Sequence, residues 1–87
     1  MPSKVVNELH SPEIYRSVTL PMWVLYDHPS DFPDFYVLRL WDGATNTPRS
    51  TVFLAVELKE IKNAVAFQFV ELGPYEGDDP KIMAVFV

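Results

Sequence analysis

The sequence predicts a small α+β domain: an antiparallel sheet of three or four strands, with one main helix packed on one face. Three observations lead there. The chain has 87 residues, enough for a single hydrophobic core and too few for two. Its apolar residues, 48% of the total, gather in β-branched and aromatic runs at 22–27, 35–41 and 81–87. One stretch inside 51–65 instead spaces Leu54, Leu58, Ile61 and Val65 at helical intervals. The organisation expected is an N-terminal extension over 1–21 with a short helical turn, followed by a single α+β domain over 22–87.

Each element follows from local chemistry. Ser11-Pro12-Glu13 has the form of a helix start, with serine at the cap, proline at the first helical position and an acid in the first turn. The turn is expected to end by about Val18, since the residue before Pro21 avoids the α region. Residues 22–27 and 35–41 read as two antiparallel strands. The connection between them, with Pro29, Pro33, Asp31 and Asp34, cannot continue a ladder. Asp42-Gly43 signals a turn, and the polar residues to Ser50 read as a loop. Thr51-Val52-Phe53 suits a strand entry, after which a helix is expected over about 56–65. Residues 66–72 suit another strand, closed by Gly73-Pro74, and an acidic loop to Pro80 leads into a last strand at 81–87. That strand is apolar on both faces and is expected inside the sheet, not at its edge.

Placing Asp27 opposite Phe35 assigns the hairpin's side chains to faces by alternation. Met22, Val24 and Tyr26 then share a core face with Tyr36, Leu38 and Leu40, and the helix should cover it. Trp23, Leu25 and Asp27 share the other face with Phe35, Val37, Arg39 and Trp41. In that register Trp23 lies across from Arg39, within reach of a cation–π contact.

Composition excludes several classes of function. The absence of cysteine removes disulfides, thiolate metal sites and cysteine nucleophiles. A net charge of -5 argues against a nucleic-acid partner, which requires a basic face. That acidity is local: residues 27–34 hold three acids and 71–80 hold four, whereas the remainder carries five acids and seven bases. No apolar run is long enough for a membrane span and the first residues do not resemble a signal peptide, so a cytoplasmic protein without a membrane partner is expected. Three scattered glycines make no phosphate-binding loop, and no serine sits in a nucleophile elbow. Asp27, Asp31 and Asp34 lack the spacing of a calcium loop, and two isolated histidines make no transition-metal site. No metal and no cofactor are expected.

What remains is a set of candidate binding residues: Trp23, Asp27, His28, Asp31, Arg39 and Trp41. Tryptophan and arginine on one sheet face are the types enriched where partners bind, and His28 beside Asp27 has the makings of an acid–base pair. No nucleophile–base set can be assembled, so an enzyme is the less favoured class.

The stretch from Tyr26-Asp27-His28-Pro29-Ser30-Asp31-Phe32-Pro33 into Tyr36-Val37-Leu38-Arg39-Leu40-Trp41 resembles a family of small uncharacterised bacterial proteins. These share a Tyr-Asp-x-Pro-x-Asp-aromatic-Pro loop and an Arg-x-Trp strand end. The close, Asp78-Asp79-Pro80 followed by Lys81-Ile82-Met83-Ala84-Val85-Phe86, is similar too, although the family strand usually carries an acid and a tryptophan where this chain has Ala84 and Phe86. The resemblance spans 22–87 and implies no activity. The expectation is a non-enzymatic interaction or accessory domain acting through the aromatic and arginine face, with a protein partner or a second copy bound there. The alternative is a binder of small anionic ligands, or a modest enzyme, with a pocket between the 28–34 loop and Arg39.

Overall fold

A computed structural model of the chain describes residues 3–65, 69–72 and 81–87. Among these residues it is an α+β domain in which one six-stranded mixed sheet carries a single α-helix. The strands are β1 (Lys4–Val6), β2 (Pro21–Asp27), β3 (Tyr36–Asp42), β4 (Thr47–Ala55), β5 (Glu71–Leu72) and β6 (Ile82–Phe86), in the order β1-β4-β3-β2-β6-β5. The helix, α1, spans Leu58–Val65. Every neighbouring pair is antiparallel except β1 with β4, which is parallel. β6 lies between β2 and β5, the interior place its two apolar faces require.

The sheet is larger than expected because residues read as appendage and loop join it. Lys4, Val5 and Val6 pair with Thr51, Val52 and Phe53. Leu9 is buried, while Ile14, Tyr15 and Val18 pack against the core. Lys4–Val6 and the 9–18 segment are therefore part of the sheet and its core. The expected helical turn after Ser11 is four residues of 3₁₀-helix, Pro12–Tyr15, with proline at its start and no side-chain cap from Ser11. Short 3₁₀ turns of this kind form where too few residues remain to propagate an α-helix.

The stretch read as a loop to Ser50 is mostly strand. Only residues 43–46 form the turn, with Asn46 at φ 55° in the left-handed region that asparagine tolerates. Opposite Leu40 the pairing is irregular, since Arg39 faces Val52 but Trp41 faces Pro48. Pro48 has no N–H to give the ladder, a position at which strands bulge. The strand read at 66–72 is present at Glu71–Leu72; residues 66–68 lie outside the described ones, as does the acidic loop over 73–80 with its Asp78-Asp79-Pro80.

α1 starts two residues later than expected. Its N-terminus is closed by Glu60, whose carboxylate accepts from the backbone N–H groups of Val56 and Glu57, each at 2.9 Å. This is the glutamate half of a capping box, and it satisfies donors that the helix itself cannot pair. Ile61 and Val65 then enter the core.

The register of β2 with β3 differs from the expected one by a single residue: Asp27 faces Tyr36, Leu25 faces Leu38 and Trp23 faces Leu40. A one-residue shift moves a whole strand's side chains to the other face. Trp23 and Leu25 therefore join Leu38, Leu40, Ala84 and Phe86 under α1 and the 9–18 segment. Met22, Val24 and Tyr26 move to the face that carries Val37, Arg39 and Trp41.

Trp23 is fully buried. Its indole Nε1 donates to the Tyr15 hydroxyl at 3.1 Å, and that hydroxyl donates to the Leu9 carbonyl. The two rings meet edge to face, 6.5 Å apart. Burial raises the Tyr15 hydroxyl above its ordinary pKa, as does nearby Glu8, against an opposing effect from the Trp23 hydrogen bond.

Candidate functional site

The face of the sheet away from α1 has no helix over it among the described residues. Its floor is β-branched: Val24, Val37 and Val52 are buried there as fully as core residues. Longer neighbours from the same face, Tyr26, Arg39 and Trp41, stand beside them, and the β2–β3 connection (residues 28–35) comes down at one side. Beside that floor lies an open groove of about 720 Å³, lined by Tyr26 from β2, Pro29, Ser30 and Asp31 from the connection, Val37, Arg39 and Trp41 from β3, and Pro48, Arg49 and Ser50 from β4.

Arg39 is the polar centre of this groove, and its side chain is 19% exposed. Nη1 donates to the Arg49 backbone carbonyl at 2.9 Å, and Nη2 donates to the Asp31 carboxylate at 2.9 Å. The first of these bonds depends on the β4 bulge, because Arg49 lies in the irregular stretch opposite Leu40. The second ties the proline-stiffened connection to the sheet through an acid that is itself 52% exposed. A guanidinium anchored on a carbonyl at one nitrogen presents the other in a set direction, as a planar fork can and an ammonium cannot.

At the far end of β3, Asp42 does structural work. Its buried carboxylate accepts from the backbone N–H groups of Thr19, Leu20 and Ala44 and stands 3.4 Å from the Arg49 guanidinium. These contacts hold the carboxyl below its ordinary pKa, the Thr19 N–H most of all, against an opposing desolvation. Arg49 also donates to the Ser17 carbonyl, so its guanidinium turns toward the N-terminal segment while its own carbonyl meets Arg39.

The six residues singled out from sequence separate into three places. Arg39, Trp41 and Asp31 come together at the groove. Trp23 does not: it fills the opposite face, bonded to Tyr15, and makes no pair with Arg39. Its separation from Arg39 follows from the register, since Val24 is the residue across from Arg39. Asp27 and His28 form a pair of their own at the end of β2, with Nδ1 and Oδ1 2.5 Å apart and the imidazole edge-on to Tyr36 at 4.6 Å. His28 sits at φ 48°, and its carbonyl accepts from Lys81 Nζ at 3.0 Å. It closes the strand and is not among the groove's lining residues.

Tyr26, Ser50 and Pro48 were not anticipated. Tyr26 was hidden by the register, and the other two by reading their segment as loop. A proline flanked by Thr47 and a β-branched run was the available signal, because prolines inside strands mark edges and bulges. Among the described residues no group of three or more His, Asp or Glu side chains could hold a metal ion, and no helix is long and apolar enough to cross a membrane.

Protein-family models, curated proteins and solved structures give no match to this chain. What defines it is its own architecture, an α+β domain whose six-stranded sheet is covered by a helix on one face and grooved around Arg39 on the other.

Proposed function

We propose that the chain is a non-enzymatic interaction or accessory domain that binds through the face of its sheet away from α1. The observation that carries this reading is the convergence of Tyr26, Arg39 and Trp41 on one groove, fed by three strands and a stiff connection. Tyrosine, tryptophan and arginine are the side chains that contribute most where surfaces associate, since each combines apolar area with a hydrogen-bond donor. Building the site on strands supports recognition, because the pleat holds the side chains in place before anything binds.

A second occupant of the same face is favoured by the groove itself. Its volume falls within the range of small-molecule sites, and its lining joins the 28–34 connection to Arg39, without the His28 that a pocket for acid–base chemistry would include. That lining supports binding over proton-transfer chemistry. The net charge of -5 supports a partner other than nucleic acid.

Amide-shift mapping by NMR, with a panel of aromatic and acidic fragments and across a dilution series, tests the reading. Perturbations should cluster on Tyr26, Val37, Arg39, Trp41 and Ser50. Clustering on α1 or the 9–18 segment instead would refute it. Light scattering over the same dilutions decides whether a second copy is the occupant, through a mass that rises with concentration.

A further inference from the structure

We propose that the groove beside Arg39 binds a small anion, a carboxylate or phosphate ester carried on a flat apolar body, and that the Asp31 carboxylate occupies the anion's place until it arrives. The inference rests on the binding role proposed for the face away from α1, and it names the ligand chemistry that the face would select.

The resident side chain shows what Arg39 accepts. A carboxylate already lies on Nη2 at 2.9 Å in the groove, so the geometry for an oxyanion is present without rearrangement of the guanidinium. The Arg49 carbonyl on Nη1 fixes the orientation of the fork, which removes part of the ordering cost that binding otherwise carries. An incoming anion therefore meets a donor that is already aimed.

Asp31 is also easily replaced. Its side chain is 52% exposed and belongs to a connection, not a strand. Ion pairs with an exposed partner favour the closed form by at most about fivefold, since water competes for both ends. A ligand of like charge that also gains apolar contact can exceed that. The contact is supplied by the walls: Tyr26 and Trp41 offer aromatic surface, Pro29 and Pro48 flat aliphatic surface, and Ser30 a hydroxyl. The released Asp31 carboxylate returns to water at little cost, because it is half in water already.

The test is an NMR titration of the full chain with benzoate, phenyl phosphate and the neutral benzyl alcohol, read at the Arg39 Nε–H and Trp41 Nε1–H resonances. Saturable shifts are expected with at least one of the two anions, at about tenfold or more lower concentration than with benzyl alcohol. The better anion identifies the source, carboxylate or phosphate ester. Asp31→Asn, which keeps the shape and removes the competitor's charge, should tighten anion binding by up to about fivefold. Arg39→Lys, which loses the planar fork, should weaken it by about tenfold. Equal binding of all three probes in the groove would overturn the anion assignment while leaving the face as a binding surface. Tighter binding by wild type than by Asp31→Asn would overturn the stand-in role. If no probe moves any resonance of the face, this inference fails, while the concentration-dependent mass above still reads the face independently.

Discussion

Tyr15→Phe is the most informative single perturbation of the fold. The Tyr15 hydroxyl is the middle of a relay in which buried Trp23 Nε1 donates to it and it donates to the Leu9 carbonyl. Deleting one oxygen strands a donor at 0% exposure and a carbonyl belonging to a residue at 1% exposure. Leaving a buried polar group unpaired costs about 1–3 kcal/mol. The ring itself, and its edge-to-face contact with Trp23, remain in the variant. The expected loss is about 2 kcal/mol, which for a domain of this size lowers Tm by roughly 8–16 °C. Urea denaturation followed by tryptophan fluorescence and by circular dichroism measures it. The cycle with Trp23→Phe isolates the bond: once the indole N–H is gone, Tyr15→Phe should cost less, with a coupling of about 0.5 kcal/mol or more. A Tyr15→Phe variant within about 0.5 kcal/mol of wild type, a change typical of featureless surface sites, would refute the docking of residues 9–18 on the sheet.

The polar clusters around Asp42 and Arg39 can be probed in the same way. Asp42 is held below its ordinary pKa, so its contribution to stability is present above the unfolded carboxyl value of about 4 and is lost as pH falls through the lower folded value. The urea midpoint of wild type should therefore fall with acidification in that window, and Asp42→Asn should be less stable at neutral pH with a flatter acid limb. Arg39→Ala removes the donor to the Arg49 carbonyl and should cost about 1–2 kcal/mol. Asp31→Ala removes only the exposed end of the ion pair and should cost less than about 1 kcal/mol by the same measurement; equal losses would show that the connection, not the bulge, is what Arg39 secures.

Much of the architecture was legible from residue types. Apolar runs bounded by Pro21 and the 28–34 connection placed β2 and β3 to within a residue. The helix was legible from the spacing of Leu58, Ile61 and Val65; of the candidate site residues, Asp31, Arg39 and Trp41 line one groove, whereas Trp23 packs on the other face. Where the reading failed, short local patterns were outweighed by distant partners. Lys4–Val6 is too short to announce a strand, and it is one because β4 offers an edge 47 residues away, with Lys4 against Thr51. Thr47–Ser50 reads as loop because its polar residues and Pro48 obscure the alternation, yet the ladder to β3 absorbs them through a bulge.

Which face Trp23 occupies is the sharpest instance of this division. Alternation along β2 and along β3 is local chemistry, and it grouped Trp23 with Leu25 and Arg39 with Trp41 without reference to any fold. The parity between the two strands is not local, because an eight-residue connection with two prolines accommodates either register. Packing decides it. Trp23 needs both a dry site and an acceptor for its indole N–H, and the face that provides both is the one where Tyr15 and Leu9 arrive from the N-terminal segment. That choice turns Arg39 and Trp41 to the opposite face and leaves the groove open between them.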